Sequence, residues 1–260
     1  MVRGQYIAGT GMMHQRRQME NVISNITNAD TTGYKKTYLV SQTFDDVMIN
    51  RINDKNNTVA ADPNWRARAA ATGPLNFGVR ADQVYINYTT GSFEETGENT
   101  DMAIAGEGAF FVVGTPAGER YTKAGSFVVN QLGYLTDGDG NFLMGENGGI
   151  YVGDNDFAVD AEGNVLRGSQ IIDRIRIVEF DDLGTLRRQG HNLYYTDGGQ
   201  ARAAQNYSVM QGFVENSNVE IAREMVDMIT VFRAYETNQK MLTMIDETVG
   251  KAVNEIGRVR

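Results

Sequence analysis

Apolar positions at both ends of the chain recur at alternating steps of three and four residues, whereas the middle alternates every second residue and carries most of the glycine. At the C-terminal end the row is Ile221, Met225, Met228, Phe232, Tyr235, Gln239, Leu242, Asp246, Val249, Val253 and Ile256, interrupted only by Gln239 and Asp246. This is the spacing of a coiled-coil seam rather than of a globular helix. At the N-terminal end Val2, Gln5, Gly9, Met12, Arg16, Met19, Ile23 and Ile26 keep the same rhythm, with Gln5, Gly9 and Arg16 as weak positions. The pattern predicts two helices that pack on each other or on copies of themselves.

The first helix is expected from about Arg3 to Asn28. Gly4, Gly9 and Gly11 each cost roughly 1 kcal/mol relative to Ala there, which points either to close approach of a neighbouring helix or to a marginal helix. Asp30-Thr31-Thr32-Gly33-Tyr34 combines turn formers with a glycine suited to positive φ, and should end the helix. The second helix is expected after Gly212, with Ser217 and Glu220 at capping-box spacing and no Gly or Pro before Gly250. Unbroken from Ile221 to Ile256 it would be about 54 Å long, more than a β domain of this size can cover.

Between Phe77 and Gly212, short alternating runs such as Val84-Tyr85-Ile86-Asn87-Tyr88 and Ile171 to Ile177 read as strands. A local pattern recurs at Phe127 to Leu135, Phe157 to Val165 and Val178 to Leu186. Each copy has apolar residues three and one positions before an Asn or Asp, then Gly three residues on. It describes a hairpin closed by a left-handed glycine. The fold class is therefore α+β, with terminal α-helices pairing as a coiled coil and a central antiparallel all-β domain. The segments are 1–36 for the first helix, 37–76 for an extended linker, 77–212 for the β domain and 213–260 for the second helix. The polar stretch Asn50 to Pro74 reads as a long loop.

Composition narrows the function classes. The 260 residues can bury at least one full core, and the net charge of -9 repels phosphate backbones, which argues against nucleic acid. The charge is uneven: Arg3, Arg16, Arg17, Lys35 and Lys36 face only Glu20 and Asp30 within the first 40 residues. Absence of cysteine removes disulfides, thiolate catalysis and cysteine-ligated zinc; it suits a chain exported unfolded and is also common in cytosolic proteins. No apolar h-region precedes residue 20 and no apolar run approaches the ~20 residues of a membrane span, so neither a cleaved signal nor membrane insertion is expected.

Candidate chemistry is sparse. Thr136-Asp-Gly-Asp-Gly-Asn141 begins like a calcium loop, but Phe142 stands where glycine is needed and Gly148 where glutamate is needed, so a hairpin turn is the better reading. Gly106-Glu-Gly108 lacks the third glycine of a dinucleotide fingerprint and leads into a strand. His14 and His191 have no metal-ligand spacing around them, and no two carboxylates stand out as a glycosidase pair. Tyr85, Tyr88, Phe110 and Phe111 read as core and cross-strand packing rather than a sugar platform. No catalytic, metal or cofactor residue emerges.

The ends also carry motifs. Asn25-Ile-Thr-Asn28-Ala-Asp-Thr31-Thr-Gly33-Tyr34-Lys35 resembles the N-terminal signature of the flagellar rod and hook proteins, with Ser24 where a second asparagine is usual. Glu215-Asn-Ser217-Asn218-Val219, Glu224-Met225-Val226 and Arg233-Ala234-Tyr235-Glu236-x-Asn238-x-Lys240 resemble the C-terminal signature. Asp101 to Phe111, then Tyr121-Thr122 and Gly125-Ser126-Phe127, are similar to the β-domain core, with Ala109 replacing a usual aromatic. Length favours a rod protein over the longer hook protein; residues 118–149 look more like the proximal rod type, while the ends fit the distal type almost as well.

The resemblance implies a structural subunit of the basal-body rod, exported unfolded through the flagellar type III gate and polymerised helically beneath a rod cap. Its helices would form the inner tube and its β domain the outer layer. Implied partners are copies of itself, other rod and hook proteins, the rod cap and the export apparatus. Stripe and signature together nominate an assembly interface of Met12, Met19, Ile23, Asn25, Ile26, Asn28, Thr31, Gly33, Tyr34, Lys35, Ser217, Asn218, Met225, Met228, Phe232, Arg233, Tyr235, Asn238, Lys240 and Leu242. The helices are expected to gain order on assembly. Competing readings are a hook-type axial protein, a hydrolase of cell-wall glycan, and an adhesin with a coiled-coil stalk.

Overall fold

A computed structural model describes residues 2–51, 70–154, 156–190 and 192–256. Helix α1 spans Val2–Thr27 and helix α2 spans Ile221–Lys251, the latter running into a π-helical turn at Ala252–Ile256. Between them the chain is a series of short antiparallel strands, so the class is α+β with a helix at each end. The chain divides into two compact units, one of Met1–Val22, Leu39–Val84 and Val226–Arg260, the other of Ile23–Tyr38 and Tyr85–Met225.

The second unit is organised around the strand Ala109–Thr115. One edge pairs with Gly118–Thr122, in register Val112 to Tyr121. The other edge is shared end to end by Phe142–Gly145, with Leu143 opposite Val113, and by Ile177–Phe180, with Val178 opposite Phe110. Successive side chains of a strand point to opposite faces. Ala109, Phe111 and Val113 therefore enter a large core with Met102, Ile104, Phe127, Leu135, Leu143 and Ile150, while Phe110 and Val112 enter a second core with Tyr121, Phe180, Leu186 and Tyr194. Burial on both faces explains why this strand is an unbroken apolar run.

Two of the three repeated patterns are the expected hairpins. Asn130 accepts from Leu132 and Tyr134 N–H through its side chain, and Asp160 does the same for Asn164, each followed by a glycine at φ +84° or +83°. Asp137 repeats the device in the calcium-like stretch, where its carboxylate accepts from Asp139 N–H, Asn141 N–H and Asn141 Nδ2, and Gly140 sits at φ +85°. The third expected hairpin is absent. Asp182 accepts from Gly184 N–H, closing a 3-10 turn at Leu183–Thr185, and Ile177–Phe180 pairs with Ala201–Ala203 and Ala109–Thr115 rather than with the strand that follows it.

In the first unit, strands Val47–Arg51 and Ala70–Leu75 pair within the stretch expected as linker. Strands Thr37–Thr43 and Val79–Ile86 pair as well. Residues 52–69 of the expected loop lie outside the described residues. A Cβ added at Gly4 would stand 3.0 Å from Ile245, and one at Gly11 would stand 3.0 Å from Asn238. Within the first unit the two helices thus run in opposite directions, with the Ile245 and Asn238 side chains of α2 reaching over Gly4 and Gly11 of α1.

The covered rows differ from the predicted ones. On α2 the inward row is Met228, Val231, Tyr235, Asn238, Leu242, Ile245 and Val249, whereas Ile221, Met225, Phe232 and Val253 are exposed. On α1 the inward row is Gly4, Ala8, Gly11, Gln15, Gln18, Val22 and Asn25, one position away from the predicted apolar row. Periodicity finds an apolar stripe but not which side of it is covered. At Gly4 and Gly11 a small residue makes room for a side chain of α2, so the covered row is not the greasiest one.

Candidate assembly site and its buried polar junction

Four of the nominated polar residues, Asn25, Tyr34, Lys35 and Asn218, converge on one buried junction. The turn after α1 brings Gly33 to φ +68°, and its N–H donates to the Glu215 carbonyl at 2.7 Å. A Cβ there would fall 2.3 Å from Ala124 N, so no side chain fits. This close contact brings Tyr34, Lys35 and Lys36 against the strand Phe213–Glu215 and the start of α2.

Asn25 is 1% exposed and uses its whole amide. Its Oδ1 accepts from Tyr34 OH at 3.1 Å and from Thr37 N–H and Oγ1 at 3.0 Å each. Its Nδ2 donates to Thr37 O at 2.9 Å and to Glu224 Oε2 at 3.2 Å. Asn218 plays a matching part: its Oδ1 accepts from Lys36 N–H at 2.7 Å, and its Nδ2 donates to Asn87 O and to Thr89 O. Two side-chain amides thereby stand in for strand partners along a segment that has left its helix.

Five ionised side chains lie inside the same junction. Lys35 Nζ donates to Glu215 Oε1 and, at 2.9 Å, to Thr89 O; Lys36 Nζ pairs with Glu224 Oε1. Lys123 Nζ donates to Gly106 O at 3.0 Å and stands 3.7 Å from Glu215 Oε2. Three cations therefore share two carboxylates. Burial pulls Lys123 down to about 8, with Glu215 acting to raise it and Lys35 to lower it further. For Lys36 burial works to lower the pKa, but the hydrogen bond and charge of Glu224 prevail and raise it. Arg188 caps the junction, its guanidinium 4.1 Å from the Tyr34 ring centroid.

Of the nominated residues, Asn25, Gly33, Tyr34 and Lys35 are buried and have partners within the chain. Met12, Met19, Ile26, Asn28, Ser217, Asn218, Met228, Tyr235, Asn238 and Leu242 are half-buried, while Ile23, Thr31, Met225, Phe232, Arg233 and Lys240 are exposed. Asn28 closes its own helix end, donating to Ser24 O at 2.7 Å, and lines a polar cleft with Thr31, Ser126 and Arg188. Ser217 does not form the expected capping box: its Oγ accepts from Val219 N–H, and Glu224 N–H bonds the Glu220 carbonyl to begin α2.

Lys36, Thr37, Lys123, Glu215 and Glu224 belong to the junction but escaped the nomination. Glu215 and Glu224 had a legible signal, since each opens a stretch of the C-terminal signature. Lys123 had none, because only the folded sheet brings it there. Tyr88, Phe110 and Phe111 pack in or against the two cores, while Tyr85 is exposed. His14 is half-buried, and burial lowers its pKa; His191 lies outside the described residues. Among the described residues no three His, Asp or Glu side chains converge to hold a metal, and no helix is long and apolar enough to cross a membrane.

A chain whose ends are tied together by a buried ionic junction, and whose helices still expose apolar rows, has the construction of a structural subunit. The family described as flagella basal body rod protein matches residues 6–35, the FlgE/F/G D1 domain of flagellar hook proteins matches 103–171, and the C-terminal region of the FlgEFG basal-body rod proteins matches 210–255. The chain is 32% identical to the basal-body rod protein FlgF of Caulobacter vibrioides over 98% of both sequences. It is 31% identical to the hook-basal body complex protein FlhO of Bacillus subtilis over 100% of both. With the rod protein FlgG of the same organism it shares 30% identity over 98% of this chain and 99% of that one. The chain belongs to the flagellar basal-body rod protein family, whose members are structural subunits, and its place is the flagellar basal body.

Proposed function

We propose that this rod subunit leaves the cell unfolded through the flagellar export apparatus and polymerises helically beneath a rod cap, with its paired terminal helices as a coiled-coil inner wall. Copies of itself and neighbouring rod and hook proteins are its partners. Residues 118–149 favour the proximal rod type. The exposure of Ile23, Met225, Val226, Ile229 and Phe232 carries the reading. A fully buried side chain of this kind contributes roughly 1.5–3 kcal/mol, and these rows gain that only when another chain covers them. The nominated interface then divides in two: exposed members meet the neighbour, and buried members such as Lys35 hold the helix ends in place.

Before assembly the helices are proposed to be marginally ordered, because their covered rows include Gly4, Gly11 and Gln15. Trypsin digestion of dilute protein, with electron microscopy of concentrated protein, tests both parts. The expected result is early cleavage at Arg16, Arg17 and Arg233 in dilute samples, and protection of those sites together with filaments in concentrated ones. Saturable turnover of cell-wall glycan by a monomer that never assembles would refute it.

A further inference from the structure

We propose that the first unit carries a shoulder and a trough that fit one another between successive copies: Ile229 and Phe232 of one copy seat against Ile7, Met241, Met244 and Thr248 of the next. This rests on reading the chain as an assembling subunit and names the contact by which it assembles.

The trough has a volume of about 610 Å³, and Gly4, having no side chain, keeps it open. Met241 is 49% and Met244 58% exposed, far from the usual state of such side chains. Thr248 donates its hydroxyl to the Met244 carbonyl at 2.7 Å, so its methyl is what remains to offer a neighbour. The shoulder is equally uncovered, with Ile229 at 52% and Phe232 at 49%. Shoulder and trough lie on one helix, and the twelve residues from Phe232 to Met244 hold them about 18 Å apart, so a copy cannot fill its own trough. A patch that complements a different patch on an identical chain makes a heterologous contact, which repeats without closing and yields a filament. Charge agrees with this pairing: Glu236 follows Phe232 one turn on, and Arg3 lines the trough. The occupant is therefore a second copy of this chain.

Because the chain has no cysteine, single introduced thiols report the contact cleanly. Phe232→Cys and Met244→Cys variants of the full chain are mixed at assembling concentration and oxidised, and the double variant is treated alone. A disulfide requires Cα atoms within about 7 Å. The expected result is heterodimer in at least tenfold excess over either homodimer in the mixture, and a ladder of multimers from the double variant. Predominant homodimers, or no disulfide in samples that electron microscopy shows to be filamentous, would overturn this contact while leaving the assembling subunit intact. No disulfide in a wild-type-like chain that forms no assemblies would overturn both. Phe232→Asp, with an unchanged circular dichroism spectrum, should weaken self-association at least tenfold; unchanged association would also overturn the contact.

Discussion

Lys123→Met should make the chain more stable at pH 7, although it deletes a buried ion. Lys123 is 2% exposed, and with it removed Lys35 and Glu215 become a balanced pair. Burial is the main reason its pKa falls from 10.5 to about 8, with Lys35 contributing and Glu215 opposing. That fall corresponds to about 3 kcal/mol held against folding while the amine is protonated. Loss of the bond to Gly106 O and of the attraction to Glu215 offsets part of the gain, leaving about 1–2 kcal/mol for a methionine of similar length against the Phe110 ring. The pH dependence has a definite sign. A lowered folded-state pKa means that the unfolded chain binds the proton more tightly. The penalty is therefore complete below about pH 8 and is relieved as pH rises towards 10.5. Between pH 7 and 9 the wild type should gain about 1.3 kcal/mol relative to the variant. Urea unfolding followed by far-UV circular dichroism at pH 7, 8 and 9 measures both quantities. Destabilisation of the variant by about 1 kcal/mol or more at pH 7, or a gap between the two proteins that fails to narrow by pH 9, would refute the reasoning.

Glu215→Gln should have the opposite effect, because it strands two buried cations: a loss of about 3–5 kcal/mol, seen as a melting temperature lower by roughly 10 °C, and partly restored when Lys123→Met is added. An unchanged melting temperature would mean that Glu215 does not offset the charges of Lys35 and Lys123. Gly33→Ala places a methyl group 2.3 Å from Ala124 N at a backbone φ of +68°, and should cost more than about 2 kcal/mol in the same unfolding experiment. A loss below about 0.5 kcal/mol would show that the turn relaxes freely.

Much of the architecture was legible in the residues because it follows from local periodicity. Alternation of three and four predicted both helices, and the Asn130 and Asp160 patterns predicted two hairpins through one side chain and one left-handed glycine each. The third repeat failed because Asp182, one residue beyond the patterned Asp181, bonds Gly184 N–H and bends the chain a different way. The signature residues were visible, but their partners were not. Asn25 meets Glu224 across 199 positions and Lys35 meets Glu215 across 180, and no spacing rule reaches so far. By itself the sequence determined that the chain has two helical ends, a β middle and the motifs of a rod subunit. Only the tertiary structure decided which row of each helix is covered and which polar residues are consumed inside the subunit. Burial belongs to the space between elements, and the small residues that make room for a neighbour's side chains leave no hydrophobic trace along the chain.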